Sequence, residues 1–186
     1  MPRLSVFNSV SLDGYFTDAH GDMSWAHRQD DEWNAFAAEN AGGGGVLLFG
    51  RITFELMAAF WPTPAAFDSM PIVAQRMSAL RKVVFSSTLP QPSWEHTEVV
   101  PGEIVDAVRR MKAEPGPDLV ILGSGTIVSQ LTDARLIDEY QVVVTPVVLG
   151  SGRTMFDGVR EPMDLRLTGS RTFGNGNVVL WYEQVS

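Results

Sequence analysis

The stretch Leu119–Leu131 reads "LVILGSGTIVSQL". Four apolar residues suit a buried strand, and Ile127, Leu131 and Ala134 recur behind them at helical spacing. Gly123-Ser124-Gly125 forms the joint. Strand, glycine corner and helix together make one unit of an α/β sheet. The joint has two readings. One is a tight turn with Ser124 or Thr126 capping the helix. The other is a cradle for a phosphate, because glycines let backbone amides approach an anion and a helix N-terminus favours negative charge. It is not the G-x-G-x-x-G fingerprint, since Ile127 and Val128 stand where later glycines would be needed. It is not a P-loop, since no Gly-Lys-Ser/Thr follows.

Outward from that unit, strands and helices alternate. Residues 3–10 alternate in period two, with Leu4, Val6, Asn8 and Val10 on one face. Residues 30–39 predict a helix with acids at its start, broken by "AGGGG" at 41–45. "VLLF" at 46–49 predicts a short buried strand, and a helix begins near Arg51. Residues 61–71 are Pro-rich and read as irregular. A short helix is expected at 72–80, a strand at 81–87 and another at 96–100. Residues 102–113 form an amphipathic helix, with Ile104, Val105, Val108 and Met111 on one face. Residues 138–150 predict a strand, bent or at an edge because of Pro146. The last 25 residues predict two strands joined at Asn175-Gly176. The fold class is therefore α/β: one domain over 1–186, a mixed, mostly parallel sheet with helices on both faces and a C-terminal antiparallel hairpin. Leu180, Trp181 and Tyr182 read as aromatics and apolar groups near an edge, which predicts a homodimer through that β segment.

Composition narrows the function. The chain has 186 residues, 45% hydrophobic and 19% charged, as in ordinary globular proteins. No apolar run reaches the roughly 20 residues a membrane helix needs. The opening residues enter strand-like alternation with no apolar h-region, so a cytoplasmic protein is expected. A formal net charge of −8 opposes a phosphate-backbone partner such as nucleic acid. There is no cysteine, and the three histidines have no i, i+4 spacing, so no metal site is expected.

Ligands of open α/β sheets bind beyond the carboxyl ends of the strands. Four such ends carry glycine or hydroxyl residues: Ser11-Leu12-Asp13-Gly14, Gly50-Arg51-Ile52-Thr53, Ser86-Ser87-Thr88 and Gly123-Ser124-Gly125-Thr126. Backbone amides with Ser, Thr and Arg donors are what a bound anion requires.

The segments "SVSLDGYF", "LLFGRITFE", "VVFSSTL" and "LVILGSGTIVSQL…LIDEYQVVVTPVVLGSGRTMF" occur in that order. Together they resemble the reductase domain that ends bacterial bifunctional riboflavin-biosynthesis deaminase–reductases, in stand-alone form (the RibD C-terminal family). That group is similar to dihydrofolate reductase in fold. The resemblance implies an NADPH site: Gly50, Arg51 and Thr53 over the diphosphate, Ser86 and Ser87 near the adenosine ribose and its 2′-phosphate, and Gly123, Ser124, Gly125 and Thr126 on the diphosphate's other side. It also implies hydride transfer to a small, pterin-like or pyrimidine-like substrate. Asp13 is the candidate catalytic residue, as substrate anchor or proton relay; the competing reading is an Asx turn before Gly14. Trp25, Phe60 and Trp61 are candidates to line the substrate pocket, with core packing as the alternative. Asp138 and Glu139 read as structural.

The pattern departs from the family twice. No Arg or Lys follows the strand at Ser86-Ser87, and the deaminase zinc motif is absent. Two other functions stay open. One is the riboflavin pathway's phosphoribosylamino-uracil reductase, for which only Arg3, Arg28 and Arg153 could meet the substrate phosphate. The other is an NADPH-binding protein without catalysis, favoured if the Asp13 carboxylate is consumed by its own turn.

Overall fold

The computed structural model describes residues 1–185. Its strands are β1 (Leu4–Ser11), β2 (Val46–Gly50), β3 (Arg81–Phe85), β4 (Thr97–Val100), β5 (Leu119–Leu122), β6 (Glu139–Thr145), β7 (Leu165–Thr172) and β8 (Val178–Gln184). The helices are α1 (Asp31–Ala41), α2 (Arg51–Phe60), α3 (Pro64–Ser69), α4 (Pro71–Ala79), α5 (Ile104–Ala113) and α6 (Gly125–Asp133). All eight strands form one sheet, ordered β4-β3-β2-β5-β1-β6-β8-β7. β4 through β6 are parallel, and β8 runs antiparallel between β6 and β7. The mostly parallel α/β sheet with its C-terminal antiparallel hairpin is thus present.

Helices cover both faces. Ala107 and Val108 of α5 and Ile127, Val128 and Leu131 of α6 pack with Val6, Ile121 and Tyr140 on one side. On the other, Phe54 of α2 and Val73 and Met77 of α4 pack with Leu47, Phe49 and Val84. Trp33 and Phe36 of α1 close over Val143, Val179 and Phe173. The near-continuous burial of β2 and β3 follows from this double cover. Among the described residues, no helix is long and apolar enough to cross a membrane.

Three local expectations change. Residues 61–71 are not irregular throughout: α3 begins at Pro64, whose ring presets helical φ and whose missing N–H is not needed in a first turn. The strand expected over 138–150 ends at Thr145, one residue before Pro146, and it is central rather than at an edge. Leu180, Trp181 and Tyr182 are not at an edge either, because β8 is paired on both sides; Trp181 and Tyr182 pack against the cores. The outermost strand is β7, mostly exposed and bulged between Leu167 and Gly169, a form that discourages edge pairing.

Candidate functional site

The parallel strands all end on one edge, and the glycine corners meet there. Gly50 N–H donates to Ser124 Oγ at 3.0 Å, and Ser124 N–H donates to Thr53 Oγ1 at 3.1 Å. The corner after β2 and the corner after β5 are therefore stitched together. Gly123 and Ser124 both adopt positive φ, +61° and +55°. A Cβ on Gly123 would lie 2.7 Å from Thr53 Cγ2, and one on Gly125 would lie 2.5 Å from the Phe16 ring. Both positions need glycine for space.

Ser124 is buried and spends its hydroxyl on this joint, donating to Leu122 O at 3.3 Å as well. The donor expected from its side chain is thus consumed within the protein. What remains are the helix ends. Neither α2 nor α6 has a side-chain cap, so their first-turn amides lack a side-chain acceptor. Two uncapped N-termini within hydrogen-bonding reach of each other make an anion cradle of backbone N–H groups. Thr126 and Arg51 are exposed beside it, the latter in a loose 3.9 Å pair with Glu55. The donor set suits a diphosphate.

Asn8 holds this corner, and sequence reasoning missed it as a site residue. Its carboxamide donates to Gly123 O at 3.0 Å and accepts from Gly123 N–H at 2.6 Å. The only signal was a polar residue on the apolar face of β1.

The third corner is looser. Ser86 Oγ accepts from Thr88 N–H and Leu89 N–H at 3.1 Å, so it serves its own turn, and Ser87 is exposed. The β2–β3 register pairs Gly50 with Phe85, which puts Arg51 beside Ser86. The neighbouring strand's corner thus brings the backbone of a cationic residue, Arg51, alongside this turn.

Asp13 accepts from Ser11 Oγ at 2.7 Å, Gly150 N–H at 2.7 Å and Leu149 N–H at 3.1 Å. The Ser11 hydroxyl first, then the Leu149 amide, hold its carboxyl down to about 2. Such a group carries no proton at neutral pH. These three bonds make Asp13 a clamp joining the turn after β1 to the loop after β6. Those segments also meet at Phe16 N–H to Arg153 O, 2.9 Å, and Leu12 N–H to Val147 O, 2.8 Å. A folded value below the unfolded 3.8 means the clamp is intact above about pH 4 and is lost as pH falls through about 2. The amide resonances of Leu149 and Gly150 are expected to titrate with a midpoint near pH 2, and not to do so in Asp13→Asn; NMR shows which.

The aromatic candidates are not brought together. Trp25 sits in a 3-10 turn, its Nε1–H bonded to Asp22 O at 3.1 Å. Phe60 and Trp61 stack edge to face, 5.2 Å apart, at the far end of α2. Nine residues of helix place Phe60 roughly 13 Å from the Arg51 corner. Trp61 packs on the α2–α4 core. Asp138 accepts from Leu4 N–H and Lys112 at the opposite edge of the sheet, a structural role. Arg3 pairs with Glu183 there at 2.7 Å and leaves the site. Arg28 stays at the edge of the glycine corners, reaching Pro146 O at 3.4 Å.

The signature of the RibD C-terminal domain matches residues 2–179. The chain belongs to that family. YyaP of Bacillus subtilis, an uncharacterised protein, is 26% identical over 181 residues, 97% of this chain and 94% of its own. A pyrimidine reductase-like protein of Corynebacterium diphtheriae superposes with a TM-score of 0.73 at 14% identity, covering 100% of this chain and 92% of that one. The Thermotoga maritima diaminohydroxyphosphoribosylaminopyrimidine deaminase/5-amino-6-(5-phosphoribosylamino)uracil reductase superposes at 0.69 with 16% identity, covering 99% of this chain and 57% of that one. At these identities the superpositions establish the fold, the one shared with dihydrofolate reductase.

Proposed function

We propose that this RibD C-terminal family protein is an NADPH-dependent reductase of a small, flat heterocycle. The observation that carries the reading is the joint between the α2 and α6 N-termini, where backbone amides of two helices face one ledge. A diphosphate fits that donor set, and the family resemblance supplies the dinucleotide. When bound, the nicotinamide supplies the hydride. The chain's own part is to orient and to exclude water. Asn8 and Thr53 fix the cradle, and the Asp13 clamp fixes the loop after β6. The Asp13 carboxylate is engaged by the Ser11 hydroxyl and two backbone amides, so we assign the proton to another group or to water.

NADPH fluorescence titration tests this. Micromolar binding supports the reading, and no binding up to millimolar cofactor removes it. Arg51→Ala is expected to weaken NADPH about tenfold and leave NADH nearly unchanged, because the lost guanidinium is assigned to the 2′-phosphate, which NADH lacks. Equal losses for both cofactors would place Arg51 on the diphosphate instead.

Binding without catalysis is the second reading, and the occupied Asp13 carboxylate favours it. NADPH binding with no oxidation of the cofactor in the presence of pterin-like or pyrimidine-like substrates would select it. The phosphoribosylamino-uracil reductase reading draws on Arg28 and Arg153 alone once Arg3 lies at the other edge. A homodimer belongs to the proposal too, supported by the exposed stripe Ile52, Leu56 and Phe60 on α2. Light scattering is expected to give twice the 20.4 kDa chain mass; a monomer removes it.

A further inference from the structure

The far end of α6 carries a cluster of cations. The helix runs from the glycine corner at Gly125 to Asp133, so its last residue lies roughly 12 Å from the cradle, toward the opposite edge of the sheet. Two adjoining hollows open there, of about 300 and 450 Å³, and they share Asp133, Arg135 and Arg160. Arg109 of α5 lines the larger one. Val105, Ala134 and Met163 give the pair of hollows an apolar lining. Such volumes suit a small organic molecule. The three arginines come from three segments: α5, the turn after α6 and the loop before β7. In a chain of net charge −8, their meeting at one place runs against the overall sign.

Asp133 is committed to Arg160. It accepts from the Arg160 backbone N–H at 3.1 Å, from Nε–H at 2.9 Å and from Nη2–H at 2.5 Å. These bonds hold its carboxyl below the ordinary carboxylate range, so the pair stays charged and fixes the guanidinium at the rim. The Arg160 side chain is otherwise 82% exposed. Arg109 has only a loose 3.5 Å pair with Asp106, one turn back on α5. Among the described residues, no carboxylate pairs with Arg135. Glu161, exposed beside the smaller hollow, opposes part of the positive charge.

The backbone at Arg135 is the second observation. Its φ is +54°, its N–H donates to Thr132 O at 2.9 Å, and Leu136 N–H donates to Leu131 O at 2.9 Å. This is the left-handed residue that closes α6, a position that favours glycine because a Cβ is disfavoured there. A cation that only complemented the helix dipole could sit within the last turn at ordinary φ, and α6 has none there. At Arg135 the fold accepts an unfavourable backbone for a side chain that no carboxylate of the chain engages.

We propose that the hollow lined by Arg109, Arg135 and Arg160 binds a phosphate monoester with a small apolar body. Guanidinium forks match phosphate oxygens two at a time. Arg160 is already balanced by Asp133, which leaves Arg109 and Arg135 to balance a dianion; a carboxylate would leave one of them over. Val105, Ala134 and Met163 cover the apolar body. The site is separate from the cradle and does not depend on the reductase reading.

The test uses phenyl phosphate as the probe and benzoate as its singly charged counterpart, with amide chemical shifts of the full chain reporting where each binds. Phenyl phosphate is expected to shift residues 130–135 and 160–163 with a submillimolar dissociation constant, and to bind about tenfold more tightly than benzoate. Added salt should weaken it. Arg135→Gly should lose about tenfold in affinity while its melting temperature equals or exceeds that of the wild type, because glycine suits the left-handed turn. Arg109→Gln should lose about fivefold, and it keeps the test valid if Arg135→Gly folds poorly. Glu161→Gln should bind about twofold more tightly, since it removes the opposing charge. Shifts confined to residues 50–53 and 123–126, no shift at all, benzoate binding as tight as that of phenyl phosphate, or wild-type affinity in Arg135→Gly or Arg109→Gln would overturn the proposal.

Discussion

Lys82→Met is expected to destabilise the fold by about 3 kcal/mol, lowering the melting temperature by roughly 6–12 °C for a chain of this size. Lys82 has no exposed surface, although it is the second residue of β3. Its ammonium donates to Leu80 O at 2.7 Å, Ser78 O at 3.0 Å and Glu95 O at 3.2 Å, and lies 4.3 Å over the Trp94 ring. Ser78 and Leu80 end α4, so the cation also meets the negative end of that helix. Methionine fills the same space and leaves three carbonyls without their donor. Burial pulls the Lys82 amine down to about 8 from 10.5. Below pH 8 it is charged in both folded and unfolded chains, and the desolvation cost is fully present. Between about pH 8 and 10.5 the folded chain gives up its proton first, so the Lys82 contribution to stability rises. The gap between wild type and Lys82→Met in urea unfolding should widen from pH 7 to pH 10. A gap that narrows would show that the three carbonyls and the indole hold the ammonium more strongly than burial expels it.

Lys82 also marks where sequence reading stops. Arg81-Lys82 reads as a basic pair at the start of a strand, and nothing local says that one of the two turns inward. Arg81 stays outside and pairs with Glu98 at 2.6 Å, whereas Lys82 follows the inward alternation of β3. The element order was legible because hydrophobic period and glycine breaks are local properties. Burial of a lysine depends on acceptors from α4 and from the approach to β4, which meet only in the fold. The same holds at the site. The glycines at 123 and 125 were readable as a corner, but the spending of Ser124 on Gly50 and Leu122 was not, because its partners come from two strands. Asn8 is the instructive intermediate. A lone Asn on an apolar strand face is visible in sequence, and the rule that buried amides are paired turns it into a question. The answer, both bonds to the Gly123 peptide, needs β5 beside β1. The hairpin aromatics failed for a topological reason: two strands in sequence order at the C-terminus suggest an edge at the last, yet the penultimate strand occupies it.

Gly123→Val should raise the NADPH dissociation constant at least about thirtyfold, some 2 kcal/mol, while far-UV circular dichroism stays close to wild type. Three constraints meet at this residue. Its φ of +61° disfavours any side chain, and a β-branched one most. Its Cβ position overlaps Thr53 Cγ2 at 2.7 Å, and Thr53 is the acceptor that orients Ser124 N–H. Its own N–H and C=O are both taken by Asn8, so the peptide cannot rotate away without leaving a buried carboxamide unpaired. The strain is relieved most readily by pushing Thr53 and the start of α2 outward, which opens the joint between the two helix ends. A comparison at Gly44 separates cradle damage from general loss of stability. Gly44 has φ +74° and nothing within 4 Å of its Cβ position, and it leads into the N-terminal end of β2, across the sheet from the cradle. Gly44→Ala should therefore cost stability through backbone strain and leave NADPH affinity unchanged. If Gly44→Ala weakens the cofactor as much as Gly123→Val does, or if Gly123→Val binds like wild type, the ledge between α2 and α6 is not where the dinucleotide lies.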